Sequence, residues 1–578
     1  MRKKILIVSV VVAALLAVYA AFLYSQRHQT KDMAEPSEVS AAESHDFLDA
    51  EPIADAEISD FSKKIDMKKW LHNATDRVYY QLEIPYCGMP ENKELEKLAI
   101  FVPEKFFKCK ANPDKSTYSC KPNDAAYVAG YTIHKAPIVM PVETLDYGAI
   151  PALKEYRNVA PYTDAGYVYV HVGSRGIEAA APAAVVDFKA AIRFLRHNKA
   201  NIPANTDLIF AFGVGGGGTV SAILGTSGDS ALYQSYLHDL GAIETSGDSI
   251  NGVLTWYPTA DFGIENSAYE WSIGVSRTGI TQNQHTFSNL LARNFVNYIN
   301  NSGFISPKDK PLFLQPSEKG VYKAGPYYDY VKVLLENSLT KFLRKTAFPY
   351  TPPRRKYAFG IGFTDAVGEI NPQGTFLTVR QYTKALNEKR NWVDYNYSFQ
   401  TAEIRSVEDF LHSFKPATQN IAYLDPINRS SLMNKMFRTA DAKGAHFDDN
   451  LAKIYQNNPV AQEYSDDLVK QDAHGHTVRQ RRDMYSPLYY LIPSSVGYRT
   501  SKVAPFWRIR GGFQQTDNSL VNEINLDLAL QKYPNVKYSD LEMFWAQEQK
   551  DLNEDNTVPP QIVIELITGI YLSEIPIY

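Results

Sequence analysis

The chain has 578 residues, 44% hydrophobic and 21% charged, which allows about two to four domains, or one large domain with insertions, around a buried core. A formal net charge of −4 and a pI near 6.3 exclude nucleic acid as a partner, because that role needs a basic surface. Tyrosine outnumbers phenylalanine, 38 to 28, so many of its aromatic rings carry a polar tip that must meet water or a partner.

At the N-terminus, Arg2, Lys3 and Lys4 precede a charge-free apolar run from Ile5 to Tyr24. The run exceeds a signal-peptide core of about 7–15 residues and is about long enough to span a bilayer. Residues 1–24 therefore read as an uncleaved membrane anchor with its basic end inside. Cleavage after Ala20 is the alternative. Both readings put the remainder outside the cytoplasm, anchored at the periplasmic or cell surface or else secreted. From Asp32 to Asp60 there are ten acidic residues and no Lys or Arg, so residues 25–65 are expected to form a flexible stalk. Of the three cysteines, Cys109 and Cys120 flank a polar loop and could pair in an oxidising compartment, which leaves Cys87 over. No CxxC or mixed Cys/His cluster points to a metal, and none is expected.

Strand-like runs follow at LAIFV, APIVMPV (136–142) and YVYVHVG (167–173). PAAVVDFKAAIRFLRHNK (182–199) has a helical period, with Val185, Phe188, Ile192 and Leu195 on one face and Pro182 near the first turn. DLIFAFG (207–213), a glycine turn, a helix and INGVLTWYP (250–258) complete an alternation that is the α/β signature. Residues 66–260 are thus the first part of a core. From 261 to 500 the pattern dissolves into a Tyr- and Asn-rich, partly helical stretch, most simply a lid-like insertion. The core resumes over 501–578 with PFWRIRGG (505–512), a helical NSLVNEINLDLALQKY (518–533) and VKYSDLEMFWA (536–546).

The turn reads GVGGGG, five glycines in six positions. Gly213, Gly215 and Gly218 satisfy GxGxxG, but a dinucleotide site also needs an acid ending the next strand. Here none comes before Asp261, and the turn lies in mid-core. The other frame is the nucleophile elbow, G-x-S-x-G, in which a serine occupies a strained strand-to-helix turn. Gly213 to Gly217 fit it, with Gly215 in the central position.

Five stretches carry a resemblance: GSRG (173–176), APAAVVDFKAAIRFLRHN (181–198), SAILGTSGDSALY (221–233), NSAYEW (266–271) and GPYYDY (325–330). They resemble the bacterial tannase group of α/β-hydrolase esterases, which hydrolyse galloyl esters, over roughly residues 78 to 556. The resemblance implies an α/β-hydrolase fold, a mostly parallel sheet with helices on both faces, carrying a large lid insertion. It also implies a lost triad. Gly215 stands where the family has its serine. The family's I-R-H-G-x-x-D-R-D becomes Ile509 to Asp517 here, with Gln515 in the acid position. The family histidine follows a Trp by four residues, which from Trp545 is Gln549, and no histidine follows His476.

Loss of one member of such a triad already costs about 10⁴–10⁶ in rate, and neither glycine nor glutamine replaces what is missing. No other pair compensates. Thr219 and Ser221 are expected to pack inward, Ser227 follows a helix, His171 reads as structural, and His474 and His476 as loop residues. What the resemblance leaves is a binding site. Asp517 takes the place of a carboxylate on the phenolic ring, Glu369 and Arg355 those of the Glu and Lys on the galloyl hydroxyls, and the Gly216 amide that of an oxyanion donor. The expected partners are a small aromatic ester or acid and the membrane, without a cofactor. An active carboxylic ester hydrolase with its nucleophile elsewhere is the alternative.

Overall fold

Nine strands pair into one sheet, and their side-chain alternation explains how both faces come to be covered. They are β1 (Leu71–Asn73), β2 (Val78–Pro85), β3 (Lys97–Pro103), β4 (Ile138–Val142), β5 (Val168–Val172), β6 (Ile209–Val214), β7 (Gly252–Trp256), β8 (Phe506–Gly512) and β9 (Tyr538–Phe544). In space the order is β1-β2-β3-β5-β4-β6-β7-β8-β9. The strands from β5 to β9 run parallel, and β1 to β3 form the antiparallel end. The structure, a computed structural model, describes residues 64–317, 322–353, 356–358, 367–369, 372–415, 417–439, 443–456, 458–515, 518–547 and 558–574. The expected anchor and nearly all of the stalk lie outside these residues. Among the described residues no helix is long and apolar enough to cross a membrane.

The helices that matter to the site are α1 (Ala183–His197), α2 (Gly216–Thr226), α3 (Glu265–Ser272), α4 (Pro326–Lys345), α5 (Val407–Phe414), α6 (Val478–Met484), α7 (Asn522–Gln531) and α8 (Pro560–Glu574). Along β6, Ile209 and Ala211 join one hydrophobic cluster while Phe210, Phe212 and Val214 join another. This period of two puts apolar groups on both faces, as a doubly covered sheet requires. The first cluster takes in Val185, Phe188, Ile192 and Leu195 of α1 and Val220, Ile223 and Leu224 of α2. The second takes in Val563, Ile567 and Ile570 of α8.

Between β7 and β8 the described residues add no strand to this sheet; they form helices and two small antiparallel ribbons. Specific polar contacts join the insertion to the core. The Tyr233 hydroxyl donates to the Met484 carbonyl (2.6 Å), the Tyr327 hydroxyl to Asn525 Oδ1 (2.6 Å) and Arg481 Nη1 to the Ala181 carbonyl (3.2 Å). α7 starts at Asn522, later than the sequence pattern suggests. Ser519 is committed elsewhere, its amide and hydroxyl donating to Glu265 at 2.6 and 2.9 Å. Cys109 and Cys120 form a disulfide across an antiparallel hairpin, and Cys87 is a buried free thiol whose pKa burial pushes up.

Candidate active site

β4 lies between β5 and β6, so successive crossovers diverge at the carboxyl ends of β4 and β6, where open parallel sheets place ligands. At that point β6 ends and α2 begins, with Gly215 between them at φ 56° and ψ −116°. This backbone lies outside the regions open to L-residues, the left-handed helical one included, and a side chain here costs about 1–3 kcal/mol. The turn is held from both sides. The Gly215 amide donates to the Trp256 carbonyl (2.9 Å), and the Gly215 carbonyl accepts from the amide (2.9 Å) and hydroxyl (3.1 Å) of Thr219. A Cβ on Gly217 would lie 2.0 Å from the Val142 carbonyl oxygen, so α2 presses directly on the backbone of β4.

The loop after β4 folds over the start of α2. A Cβ on Gly216 would lie 3.1 Å from the Tyr147 amide nitrogen and 3.3 Å from the Tyr147 ring. Tyr147 itself has φ 59°, a conformation uncommon outside glycine that turns its amide and its ring onto the helix start. Its hydroxyl is 3.2 Å from Thr219 Oγ1, which also accepts from the Thr259 amide (2.9 Å). Burial pushes the Tyr147 phenol up, so it stays protonated. The first amides of a helix have no intrahelical acceptor, and neither Gly216 nor Tyr147 donates its amide to an acceptor among the described residues. Two adjacent N–H groups at a helix N-terminus make a receptor for a carbonyl or carboxylate oxygen. Phe262 and Tyr485 wall the far side of Tyr147, at 6.1 and 6.4 Å between ring centroids.

The strand register aligns Val214, Trp256 and Arg510, so Arg510, two residues before the end of β8, lies two strand spacings, about 10 Å, from the end of β6. Gln515 lies three residues beyond β8, buried, its amide donating to the Gly512 carbonyl (3.1 Å). The chain after β9 returns to this point, where the Gln514 amide donates to the Gln547 carbonyl (3.3 Å). Gln549, Asp517 and Arg355 lie outside the described residues. Glu369 ends the ribbon strand Val367–Glu369, opposite Lys356, and its side chain is likewise outside them.

The candidate substitutes are buried or engaged elsewhere. Ser221 Oγ donates to the Gly217 carbonyl (2.8 Å), and Ser227 is buried. His171 Nε2 contacts the Pro151 carbonyl (2.8 Å), and burial holds its pKa down. The His474 and His476 rings pack on Tyr236. No cluster of three metal-ligating side chains occurs among the described residues.

Sequence reasoning did not single out Tyr147 or two buried carboxyl groups, Glu265 against the start of α7 and Glu523 beside β8. Glu265 accepts from Ser519, Asn522 and Tyr423, and burial pushes it up to about 6. Burial pushes Glu523 up to about 8. A Cβ on Gly511 would lie 2.7 Å from its Oε1. No local sequence signal marks these residues, because their character comes from the surfaces folded around them.

Solved structures share this fold. Fusobacterium nucleatum tannase superposes with a TM-score of 0.66 at 21% identity, over 88% of this chain and all of that one (100%). The tannin acyl hydrolase of Lactobacillus plantarum superposes with a TM-score of 0.58 at 23% identity, over 85% of this chain and 94% of that one. Similar structures also include a tannin acyl hydrolase in complex with ethyl gallate and one in complex with 3,4-dihydroxybenzoate. The BD-FAE family, an α/β-hydrolase family, matches residues 151–320. The chain has the α/β-hydrolase fold. In that fold a nucleophile elbow is a strand-to-helix turn, and the acid and base follow it in chain order. No curated protein sequence matches the chain.

Proposed function

We propose that the chain is a tannase-like α/β-hydrolase that has kept the elbow and lost the chemistry, a membrane-anchored protein outside the cytoplasm that binds an aromatic ester or acid without cleaving it. The observation that carries this is Gly215, in the backbone conformation of an elbow nucleophile but with no side chain. Acyl transfer needs an oxygen nucleophile, a base to take its proton and an acid to orient that base. Gly215, Gln515 and Gln549 supply none of these. The paired amides of Gly216 and Tyr147 remain suited to a carbonyl or carboxylate oxygen. In this reading Asp517, Glu369 and Arg355 hold the phenolic hydroxyls and Gly216 is the oxyanion donor.

Incubation with a chromogenic aryl ester is expected to give only background hydrolysis, a fluorophosphonate probe is expected to label no serine, and 3,4-dihydroxybenzoate is expected to bind. Stoichiometric labelling of any one serine would sink the proposal, because it would reveal a working nucleophile.

A further inference from the structure

A cavity of about 830 Å³ lies within the insertion, against α4 and α5. Two carboxylates on its wall are already engaged. Asp409 accepts from Arg390 Nη1 (2.8 Å) and from Arg405 Nε and Nη2 (both 2.6 Å), and these pairings hold its carboxyl well below the usual range. Glu408 accepts from the Tyr328 hydroxyl (2.6 Å). Among the described residues Lys323 has no such partner. Its ammonium lies over the Trp271 ring, 4.1 Å from the centroid, and donates to the Trp271 carbonyl near the end of α3. Among the described residues no carboxylate lies within ion-pair distance of it, and Glu408 is the charge whose field reaches it. The wall therefore carries three cations, Lys323, Arg390 and Arg405, against two carboxylates, with His412 kept neutral near pH 7 by burial and by Arg390. An ammonium taken partly out of water and left without a counter-ion is a receptor for an anion.

We propose that this cavity binds a small organic carboxylate, whose anionic group pairs with Lys323 and whose apolar part lies against Tyr328 and Val275. None of the residues that line it belongs to the elbow, and the proposal does not rest on the loss of the triad. Burial brings the Lys323 ammonium down to about 8, so it is charged at pH 7 and neutral well above 8.

Calorimetric titration of the full-length chain with benzoate tests this. One site that K323M removes is expected at pH 7, with benzamide, the neutral counterpart of benzoate, at least about tenfold weaker there. K323M is expected to lose at least about tenfold in benzoate affinity, and K323R to stay within about threefold of the unaltered chain. Affinity is expected to fall as pH rises past about 8, because the ammonium that holds the anion loses its proton. That pH profile keeps the test decisive if K323M fails to fold. Equal affinity for benzoate and benzamide, unchanged binding by K323M, a flat pH profile, or no binding at millimolar benzoate would each overturn the proposal. Displacement of benzoate by an equal concentration of phosphate would overturn its assignment to an organic acid.

Discussion

At Gly215 a backbone conformation and a missing side chain make opposite statements about chemistry. The backbone, at φ 56° and ψ −116°, is one that only glycine adopts without strain, and a hydrolase accepts that strain to expose its nucleophile. Glycine here carries neither that strain nor a side-chain oxygen. Gly215→Ser is therefore expected to leave aryl-ester turnover at background and to destabilise the fold by about 1–3 kcal/mol, read by urea denaturation. Adding Gln549→His supplies a base with no carboxylate to orient it. Only the triple variant with Gln515→Asp is expected to turn over ester, and a rate equal to that of the unaltered chain would mean that the acid and base positions are misassigned. The sequence showed the position of this turn through its glycines and the absence of a serine. The sign of φ belongs to the folded backbone, as does the approach of Tyr147, whose own stretch, TLDYGA, has no pattern that distinguishes it from an ordinary loop.

The glycine string of α2 illustrates what an element's sequence leaves open. GVGGGG suits a helix that cradles phosphate and equally a helix packed hard against strands, since both need backbone without Cβ. Contacts with other elements decide between them. Beyond the approach of Gly217 to Val142, a Cβ on Gly218 would lie 2.5 Å from the Trp256 carbonyl oxygen. These glycines are required by helix-on-sheet packing, on the sides facing β4 and β7. Gly217→Ala is expected to cost about 3 kcal/mol or more, because the obstructing atom is backbone and cannot rotate away. A midpoint of urea unfolding unchanged from that of the unaltered chain would contradict this packing. α1, by contrast, was legible from its residues alone. Its apolar positions recur at helical spacing, and Val185, Phe188, Ile192 and Leu195 are all buried.

Across the whole molecule, burial gives charges properties that no composition reports. Glu265 is pushed up to about 6 and Glu523 to about 8, both chiefly by loss of water, whereas in the unfolded chain each titrates near the ordinary value of about 4.3. The folded protein therefore binds more protons than the unfolded chain between about 4.3 and 8, so their contribution to stability is fully present below that window and lost as pH rises through it. Glu523→Gln, which keeps the shape without the ionisation, is expected to flatten that decline and to be more stable than the unaltered chain at pH 8.5, as thermal unfolding at several pH values would show. The opposite slope would mean that Glu523 is ionised when folded. The sequence by itself determined the α/β class, the helical face of α1 and the turn at Gly215, because periodicity, turn chemistry and residue identity are local properties. Only the tertiary structure decided that Tyr147 and Gly216 bring two amides together, that Glu265 meets the start of α7 and Glu523 lies beside β8, and that Lys323 faces a cavity with no carboxylate in ion-pair distance among the described residues. These depend on which distant surfaces exclude water from one another, and a linear pattern does not record that.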